Sequence, residues 1–253
     1  MGGHPLALTG ERTLPGVDSE NYWFRRHEIA YETCAAAASR DGWDSVLDAG
    51  CGEGYGADRM ADAAARVIAL DVDPATIAHA RRAYPRLIAA QANLVALPLA
   101  TGSCDAAVSL QVIEHQWDVA AYLDELARVL GPGGALWCAT PNRLTFADDA
   151  GGGRAHPCHT VEFAAAELVE VLSTRFTVEA VGGVWAGSRL AAAEAECGAA
   201  MPRLLADAGD PATWPVWLTA LVAGVTAQDF TVAWPEALAD LDDSLDLLAV
   251  CRA

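Results

Sequence analysis

Short apolar runs alternate with amphipathic segments along the chain from about residue 44 onward. The apolar runs predict seven strands, at 45–48, 66–71, 86–90, 104–110, 135–139, 176–181 and 244–251. The amphipathic segments between them predict helices, at 55–64, 74–83, 118–130 and 161–173. Strands that alternate with helices at this spacing are typical of a parallel, doubly wound α/β sheet with right-handed crossovers.

The same pattern divides the chain into an N-terminal segment and one α/β domain. Residues 1–40 predict a loop-like arm and a helix, which either docks on the core or covers a substrate as a lid. Residues 41–253 predict the α/β domain. Within it, residues 142–160 predict an active-site loop, because loops of that length in compact domains are usually functional. Residues 187–228 predict a helical insertion before the last strand.

A glycine-rich loop follows the first predicted strand. Asp48 ends that strand, and Gly50, Gly52 and Gly54 come before the next helix. Glycines let a ligand approach the backbone closely, and a helix N-terminus presents unpaired N–H groups. Ligands of doubly wound sheets bind at the carboxyl ends of the strands. The loop therefore predicts a cofactor site.

Two carboxylates narrow the type of cofactor. Asp71 ends the next predicted strand, where an acid can accept both hydroxyls of a ribose. The loop spacing also matches a loose dinucleotide fingerprint, so NAD is one interpretation. Asp48 favours a cofactor with an ammonium group over NAD, because a carboxylate beside the loop repels a pyrophosphate and attracts an ammonium group. The pair favours a nucleoside cofactor that carries an ammonium group.

Four motifs together resemble those of the class I S-adenosylmethionine-dependent methyltransferases. They are motif I at 46–54, motif II at 70–74, the adenine-reading segment at 91–98 and the helix-to-strand turn at 128–134. The resemblance covers about residues 44–185 and the final strand. It implies a Rossmann-like fold with a seven-stranded, mostly parallel sheet and S-adenosylmethionine as cofactor. The implied cofactor-binding residues are Asp48, Gly50, Gly52, Gly54, Asp71, Val72, Asn93, Leu94 and Gln111.

Glu114 and His115 follow the fourth predicted strand, at the same edge of the sheet as the glycine loop. Histidine titrates near neutral pH, so it can take the proton of a hydroxyl that receives a methyl group. We therefore predict His115 and Glu114 as catalytic residues. The alternative interpretation is structural: His115 caps the following helix and Glu114 tethers a loop amide.

The predicted active-site loop adds two histidines, His156 and His159. The arrangement is similar to that of metal-dependent O-methyltransferases, in which a Glu-His pair and a distant His hold a divalent ion. This similarity implies Mg²⁺ or Mn²⁺ on Glu114, His115 and His159, with Gln111 or His156 as further ligands. Gln111 stands where those enzymes often have Glu, so a metal-free His115 base is the competing interpretation.

Two further segments, 10–27 and 140–146, resemble actinobacterial sugar O-methyltransferases of methylglucose lipopolysaccharide synthesis. This resemblance implies methyl transfer to a sugar hydroxyl, the 6-hydroxyl of glucose. We predict substrate contacts at Tyr22, Trp23, Arg26, His27, Trp117 and Asn142. Two alternatives stay open: O- or N-methylation of a small secondary metabolite or quinone precursor, and a non-catalytic cofactor-binding regulator.

The formal net charge of −18 changes which partners are expected. It disfavours nucleic acid and anionic membranes, so we expect a small-molecule or oligosaccharide substrate. The seven cysteines include no CxxC pair and several lie in apolar runs, which is typical of buried free thiols in a reducing cytoplasm. The N-terminus lacks a signal-peptide pattern, and no apolar run reaches the ~18 residues of a membrane helix. We expect a soluble cytoplasmic protein, either a monomer or a homodimer.

Overall fold

The computed structural model describes Leu6, residues 12–146 and residues 158–253. The rest of the N-terminal arm and the middle of the predicted active-site loop lie outside the described residues. The prediction for His156 therefore falls outside them as well.

The described residues contain eight strands. They are β1 (Ser45–Ala49), β2 (Arg66–Asp71), β3 (Ile88–Gln91), β4 (Ala106–Leu110), β5 (Ala135–Pro141), β6 (Thr177–Ala186), β7 (Phe230–Ala233) and β8 (Asp246–Arg252). The helices are α1 (Asn21–Asp41), α2 (Tyr55–Met60), α3 (Pro74–Ala83), α4 (Val119–Leu130), α5 (Arg143–Phe146), α6 (Ala165–Leu172), α7 (Ser188–Cys197), α8 (Met201–Ala208) and α9 (Val216–Ala223). Every residue of β1, β4 and β5 is buried, as expected for central strands covered on both faces.

The sheet has the strand order β3-β2-β1-β4-β5-β8-β6-β7. The first five strands are parallel, and β1 lies between β2 and β4. This confirms the predicted mostly parallel sheet. The strand order reverses between β1 and β4, and ligands of doubly wound sheets bind at such a switch point.

The predicted number of seven strands is wrong by one. β8 enters antiparallel between β5 and β6, and β7 adds an eighth strand at the edge, antiparallel to β6. β7 has only four residues and follows directly after the helices α7, α8 and α9, which lie within the predicted insertion. Its apolar pattern is too short to distinguish it from the end of that insertion.

Helices cover both faces of the sheet. On one face, Leu47 of β1 belongs to a core shared with α4 and α6. On the other face, Val46 belongs to a core shared with α1, α2 and α3. A third cluster joins Tyr22, at the start of α1, to the insertion helices. Helix α1 is therefore packed into the core along part of its length.

Most of the cysteine thiols are buried, as their apolar neighbours in the sequence predict. All seven cysteines are free and five of them are buried. Burial raises the pKa of the Cys34 and Cys138 thiols, which keeps them protonated. Among the described residues, we find no helix that has both the length and the apolar character needed to cross a membrane.

A buried ion pair connects α1 to the sheet. Arg26 Nε donates to Asp246 Oδ2 at 2.6 Å, and Nη2 donates to Oδ1 at 2.5 Å. Both side chains are only 2% exposed, so water screens the pair little. Gln111 Nε2 also donates to Asp246 Oδ1, at 3.1 Å. The pair therefore joins α1, the start of β8 and the segment after β4.

We expect Arg26→Met to lower the free energy of unfolding by about 3–5 kcal/mol, because it leaves the Asp246 carboxylate buried without its cation. The double variant Arg26→Met/Asp246→Asn removes that uncompensated charge and should recover part of the loss. Urea denaturation of the three proteins measures both effects. A single variant as stable as the wild type would contradict the assignment.

Candidate active site

A cavity of about 390 Å³ opens at the carboxyl ends of β1, β2 and β4. Its wall is formed by the arm, α1, the glycine loop with the start of α2, the ends of β2 and β3, and the end of β4 with the segment after it. The residues are Arg12, Thr13, His27, Tyr31, Gly50, Cys51, Gly52, Glu53, Tyr55, Asp71, Val72, Asp73, Asn93, Leu94, Leu110, Gln111, Val112, His115, Gln116 and Trp117. The cavity therefore lies at the switch point of the sheet.

The glycines of the loop serve two purposes. Gly50 has a φ of +88°, and a Cβ there would lie 2.5 Å from Cγ2 of Val112, so only glycine permits this approach. Gly52 has a φ of +52°, but the nearest atom to a Cβ there is Arg12 Cβ at 4.0 Å. The space beside Gly52 is thus open and belongs to the cavity. Gly54 does not line the cavity, because it packs against Tyr84.

Asp71 connects the end of β2 to the glycine loop. Its Oδ2 accepts a hydrogen bond from the Gly52 N–H, and its Oδ1 accepts one from the Asp73 N–H, both at 2.9 Å. The carboxylate also faces the cavity. Because each oxygen has a second lone pair, Asp71 can hold the loop and still accept hydroxyl groups of a ligand.

The other predicted cofactor residues differ in their access to the cavity. Val72, Asn93, Leu94 and Gln111 line it. Gln111 has a φ of +60°, which is uncommon for a residue other than glycine. Asp48 is fully buried and does not line the cavity. The structure therefore does not support a direct contact between Asp48 and a ligand, since the loop and the Tyr31 side chain separate Asp48 from the cavity.

His115 lies on the cavity wall. Its Nδ1 is 3.1 Å from the carbonyl oxygen of Cys158. A carbonyl oxygen only accepts hydrogen bonds, so Nδ1 carries the hydrogen, and in the neutral imidazole Nε2 has the lone pair. The alternative role of His115 as a helix cap is wrong, because the Asp118 side chain caps α4 by accepting from the Ala121 N–H.

Glu114, the residue before His115, is buried. Its Oε2 accepts a hydrogen bond from Thr140 Oγ1, and its Oε1 has no hydrogen-bond partner among the described residues. Burial raises the pKa of this carboxyl to about 8. Glu114, His115 and His159 each offer one ligand atom, and these atoms lie within 4.8 Å of one another. The three residues that the sequence predicts as a metal site are thus brought together.

The predicted substrate residues separate into two groups. His27 and Trp117 line the cavity, and Trp117 is 87% exposed. Burial lowers the pKa of His27 to about 4, so its imidazole is neutral at physiological pH. These two side chains are available to a ligand.

The other four predicted substrate residues, Tyr22, Trp23, Arg26 and Asn142, do not line the cavity. Tyr22 is fully buried beside the insertion, and Trp23 packs against it and the Arg26 guanidinium. Arg26 forms the buried ion pair with Asp246. Asn142 is 1% exposed, and its amide donates to the carbonyls of Leu241 and Ser244. Because these four side chains contact other groups of the protein, the structure does not support direct contact between them and a substrate.

Several cavity residues were not among the sequence predictions: Arg12, Thr13, Tyr31 and Tyr55. A signal existed for Tyr31, because it lies four residues after His27 and so shares one face of a helix with it. No comparable signal existed for Arg12. Its place depends on a tertiary ion pair with Asp73, at 2.9 Å.

Fold and cavity together define a Rossmann-like class I methyltransferase architecture. A solved S-adenosylmethionine-dependent methyltransferase of Thermotoga maritima, described as a possible histamine N-methyltransferase, has the same fold. Its TM-score is 0.58 at 16% sequence identity, and the alignment covers 94% of this chain and 95% of that chain. At this identity the similarity supports the fold alone.

Sequence relatives identify the family. Residues 47–138 match the family model described as a methyltransferase domain. A probable S-adenosylmethionine-dependent methyltransferase of Mycolicibacterium smegmatis is 50% identical, over 97% of this chain and 94% of that protein. A similarly described protein of Mycobacterium tuberculosis is 46% identical, over 97% and 89%. The chain belongs to the S-adenosylmethionine-dependent methyltransferases.

A more distant relative matches only part of the chain. The ubiquinone biosynthesis O-methyltransferase of Methylocella silvestris is 35% identical over 102 residues, which are 39% of this chain and 40% of that protein.

The residues of the cavity fit S-adenosylmethionine. The open space beside Gly52 gives the ligand access to the loop backbone, and the Asp71 carboxylate is positioned to accept ribose hydroxyls. Asn93 and Leu94 line the cavity just after the end of β3.

We expect Asp71→Asn to weaken binding of S-adenosylhomocysteine roughly tenfold to hundredfold, because hydrogen bonds to a charged group contribute about 1.5–3 kcal/mol. Isothermal titration calorimetry measures the change. Asp124→Asn is the control, since Asp124 is an exposed residue of α4 away from the cavity. Equal affinity of wild type and Asp71→Asn would refute the ribose assignment.

Proposed function

We infer that the protein transfers a methyl group from S-adenosylmethionine to a sugar hydroxyl, with His115 as the general base. The observation that carries this proposal is the His115 imidazole on the cavity wall, with Nδ1 bonded to the Cys158 carbonyl and Nε2 able to accept a proton. The acceptor that we propose is the 6-hydroxyl of glucose in a precursor of a methylglucose polysaccharide.

Three observations support an uncharged, ring-shaped acceptor. Trp117 lies at the cavity with most of its indole exposed, and aromatic faces pack well against the apolar face of a sugar. His27 is neutral and can exchange hydrogen bonds with hydroxyl groups. The net charge of −18 disfavours a phosphate-rich acceptor.

The cofactor supplies an activated methyl group when it is bound. Asp71 and the glycine loop would hold it, and a hydroxyl oxygen would have to approach in line at roughly 3–3.5 Å. The methyl group would pass to that oxygen, and the electron pair of the broken C–S bond would stay on sulfur. His115 Nε2 takes the hydroxyl proton, and the Cys158 carbonyl keeps the imidazole in the required tautomer. Trp117 and His27 orient the acceptor.

A divalent ion, Mg²⁺ or Mn²⁺, is a second proposal for the same site. Its support is the buried Glu114 Oε1, which lacks a partner among the described residues, next to His115 and His159. An ion held by Glu114, His115 and His159 would lower the pKa of a bound hydroxyl and replace the base. Mixed imidazole and carboxylate ligands suit Mn²⁺ better than Mg²⁺.

A small phenolic acceptor, such as a quinone precursor, is the alternative to a sugar. It is favoured by the Methylocella silvestris relative, whose similarity is confined to about two fifths of this chain. The exposed Trp117 would stack on a phenol as well as on a sugar, so the choice needs a direct assay.

We expect purified protein to transfer radiolabelled methyl groups to α-1,4-linked glucose oligomers, with 6-O-methylglucose released on hydrolysis. Oligomers in which the 6-hydroxyl is replaced by hydrogen are the matched control and should stay unlabelled. The assay runs after chelation and again with added Mn²⁺, which separates the metal-dependent from the metal-free mechanism. Label in a catechol but in no oligomer under either condition would overturn the sugar proposal.

We expect His115→Ala to reduce turnover by about 10²-fold or more, because it removes the general base. His115→Asn is the sharper test, since its amide can still donate to the Cys158 carbonyl but cannot take the proton. Both variants should bind S-adenosylhomocysteine as well as the wild type in calorimetry. Turnover of either variant close to the wild-type rate would refute this role.

A further inference from the structure

Tyr31 occupies a place that the packing of α1 on α2 provides for it. Its ring lies over Gly56, where an added Cβ would overlap the ring atoms. It also packs edge-on against Tyr55, with ring centroids 5.6 Å apart. Only a residue without a side chain at position 56 lets Tyr31 reach the cavity wall. The hydroxyl of Tyr31 is therefore held in one position.

The hydroxyl of Tyr31 stands between the cavity and a buried carboxylate. It lies 3.3 Å from both oxygens of Asp48 and donates its hydrogen to them. Tyr31 lines the cavity, whereas Asp48 is completely buried and does not. The lone pairs of the Tyr31 oxygen thus provide a route by which the charge of Asp48 acts on a ligand.

A hydroxyl that donates to a carboxylate becomes a stronger acceptor, because neighbouring hydrogen bonds polarise one another. It favours a donor with positive charge. The titratable groups around Asp48 are Tyr31, Cys34, Cys51, Tyr55 and Asp71. None of these five is a cation, so the protein side of Asp48 offers no counter-charge among them.

We propose that the Tyr31 hydroxyl accepts a hydrogen bond from the ammonium group of the cofactor's methionine part, with Asp48 as the buried counter-charge behind it. Tyr31 belongs to α1, outside the residues 47–138 that match the family model. The proposal rests on the cofactor and not on the choice of acceptor.

The affinity for a ligand with an ammonium group should depend on pH. Burial raises the pKa of Asp48 to about 7, and the Tyr31 hydrogen bond opposes part of this rise. Below pH 7 an ammonium ligand must therefore displace a proton from Asp48, so its affinity should increase as the pH rises through 7. A ligand without the ammonium group should not show this dependence.

Two ligands and two matched variants test the proposal. S-adenosylhomocysteine carries the ammonium group, and 5′-methylthioadenosine has the same nucleoside without the amino acid. In calorimetry, Tyr31→Phe should weaken S-adenosylhomocysteine at least tenfold and change 5′-methylthioadenosine less than twofold. Tyr122→Phe removes another buried hydroxyl, which bonds Ser109 and does not line the cavity, and should change neither affinity. Retained binding of 5′-methylthioadenosine also shows that Tyr31→Phe is folded.

The pH arm uses Asp48→Asn, an isosteric change that removes the buried charge. Wild-type affinity for S-adenosylhomocysteine should rise several-fold between pH 6 and pH 7.5, and Asp48→Asn should abolish this rise. The affinity for 5′-methylthioadenosine should stay constant in both proteins. Equal weakening of the two ligands by Tyr31→Phe would overturn the proposal, and so would unchanged affinity for S-adenosylhomocysteine.

Discussion

The buried ion pair between Arg26 and Asp246 determines how the cavity is enclosed. It holds α1 against the start of β8, and Asp246 also accepts a hydrogen bond from Gln111 at the end of β4. Helix α1 can therefore present His27 and Tyr31 to the cavity. A parallel sheet alone would supply the glycine loop and Asp71, but one side of the cavity would be open. Since a buried pair costs desolvation, its contribution is better understood as fixing this one arrangement than as net stability.

Burial shifts the pKa values of several ionisable groups around the cavity. It lowers the pKa of His27 to about 4 and raises the pKa of Asp48 to about 7 and of Glu114 to about 8. Near neutral pH these groups carry less charge than exposed groups of the same type. Cations of a ligand would stabilise both carboxylates in their ionised form. The site is thus suited to a cofactor that brings positive charge with it.

Much of the fold follows from local sequence patterns, and the elements that were predicted wrongly have physical causes. The segment predicted as helix 74–83 is α3, because Pro74 and the Asp73 cap define its start locally. β6 continues to Ala186, beyond the predicted end at 181, because β8 and the unforeseen β7 pair with its second half. Pairing partners distant in sequence leave no local signal.

The candidate site shows the same division. Asp71 and His115 could be predicted because each follows a strand at the carboxyl edge, and both line the cavity. Asn142 also lies at the end of a strand, yet it binds the chain around Leu241 and Ser244, a contact that spacing does not reveal. Tyr31 reaches the site from α1, and its spacing of one helical turn from His27 was the signal for it that the sequence predictions left unused. Position at a strand end predicts proximity to the site, but the partner of each side chain decides its role.

A crystal structure with S-adenosylhomocysteine bound is the most direct test of the proposed site. The ribose should lie on Asp71 and the amino acid part towards Tyr31, and the sulfur should face His115 with room between them for a sugar hydroxyl. A complex in which the sulfur is turned away from His115, or in which no acceptor fits between the two, would contradict this arrangement.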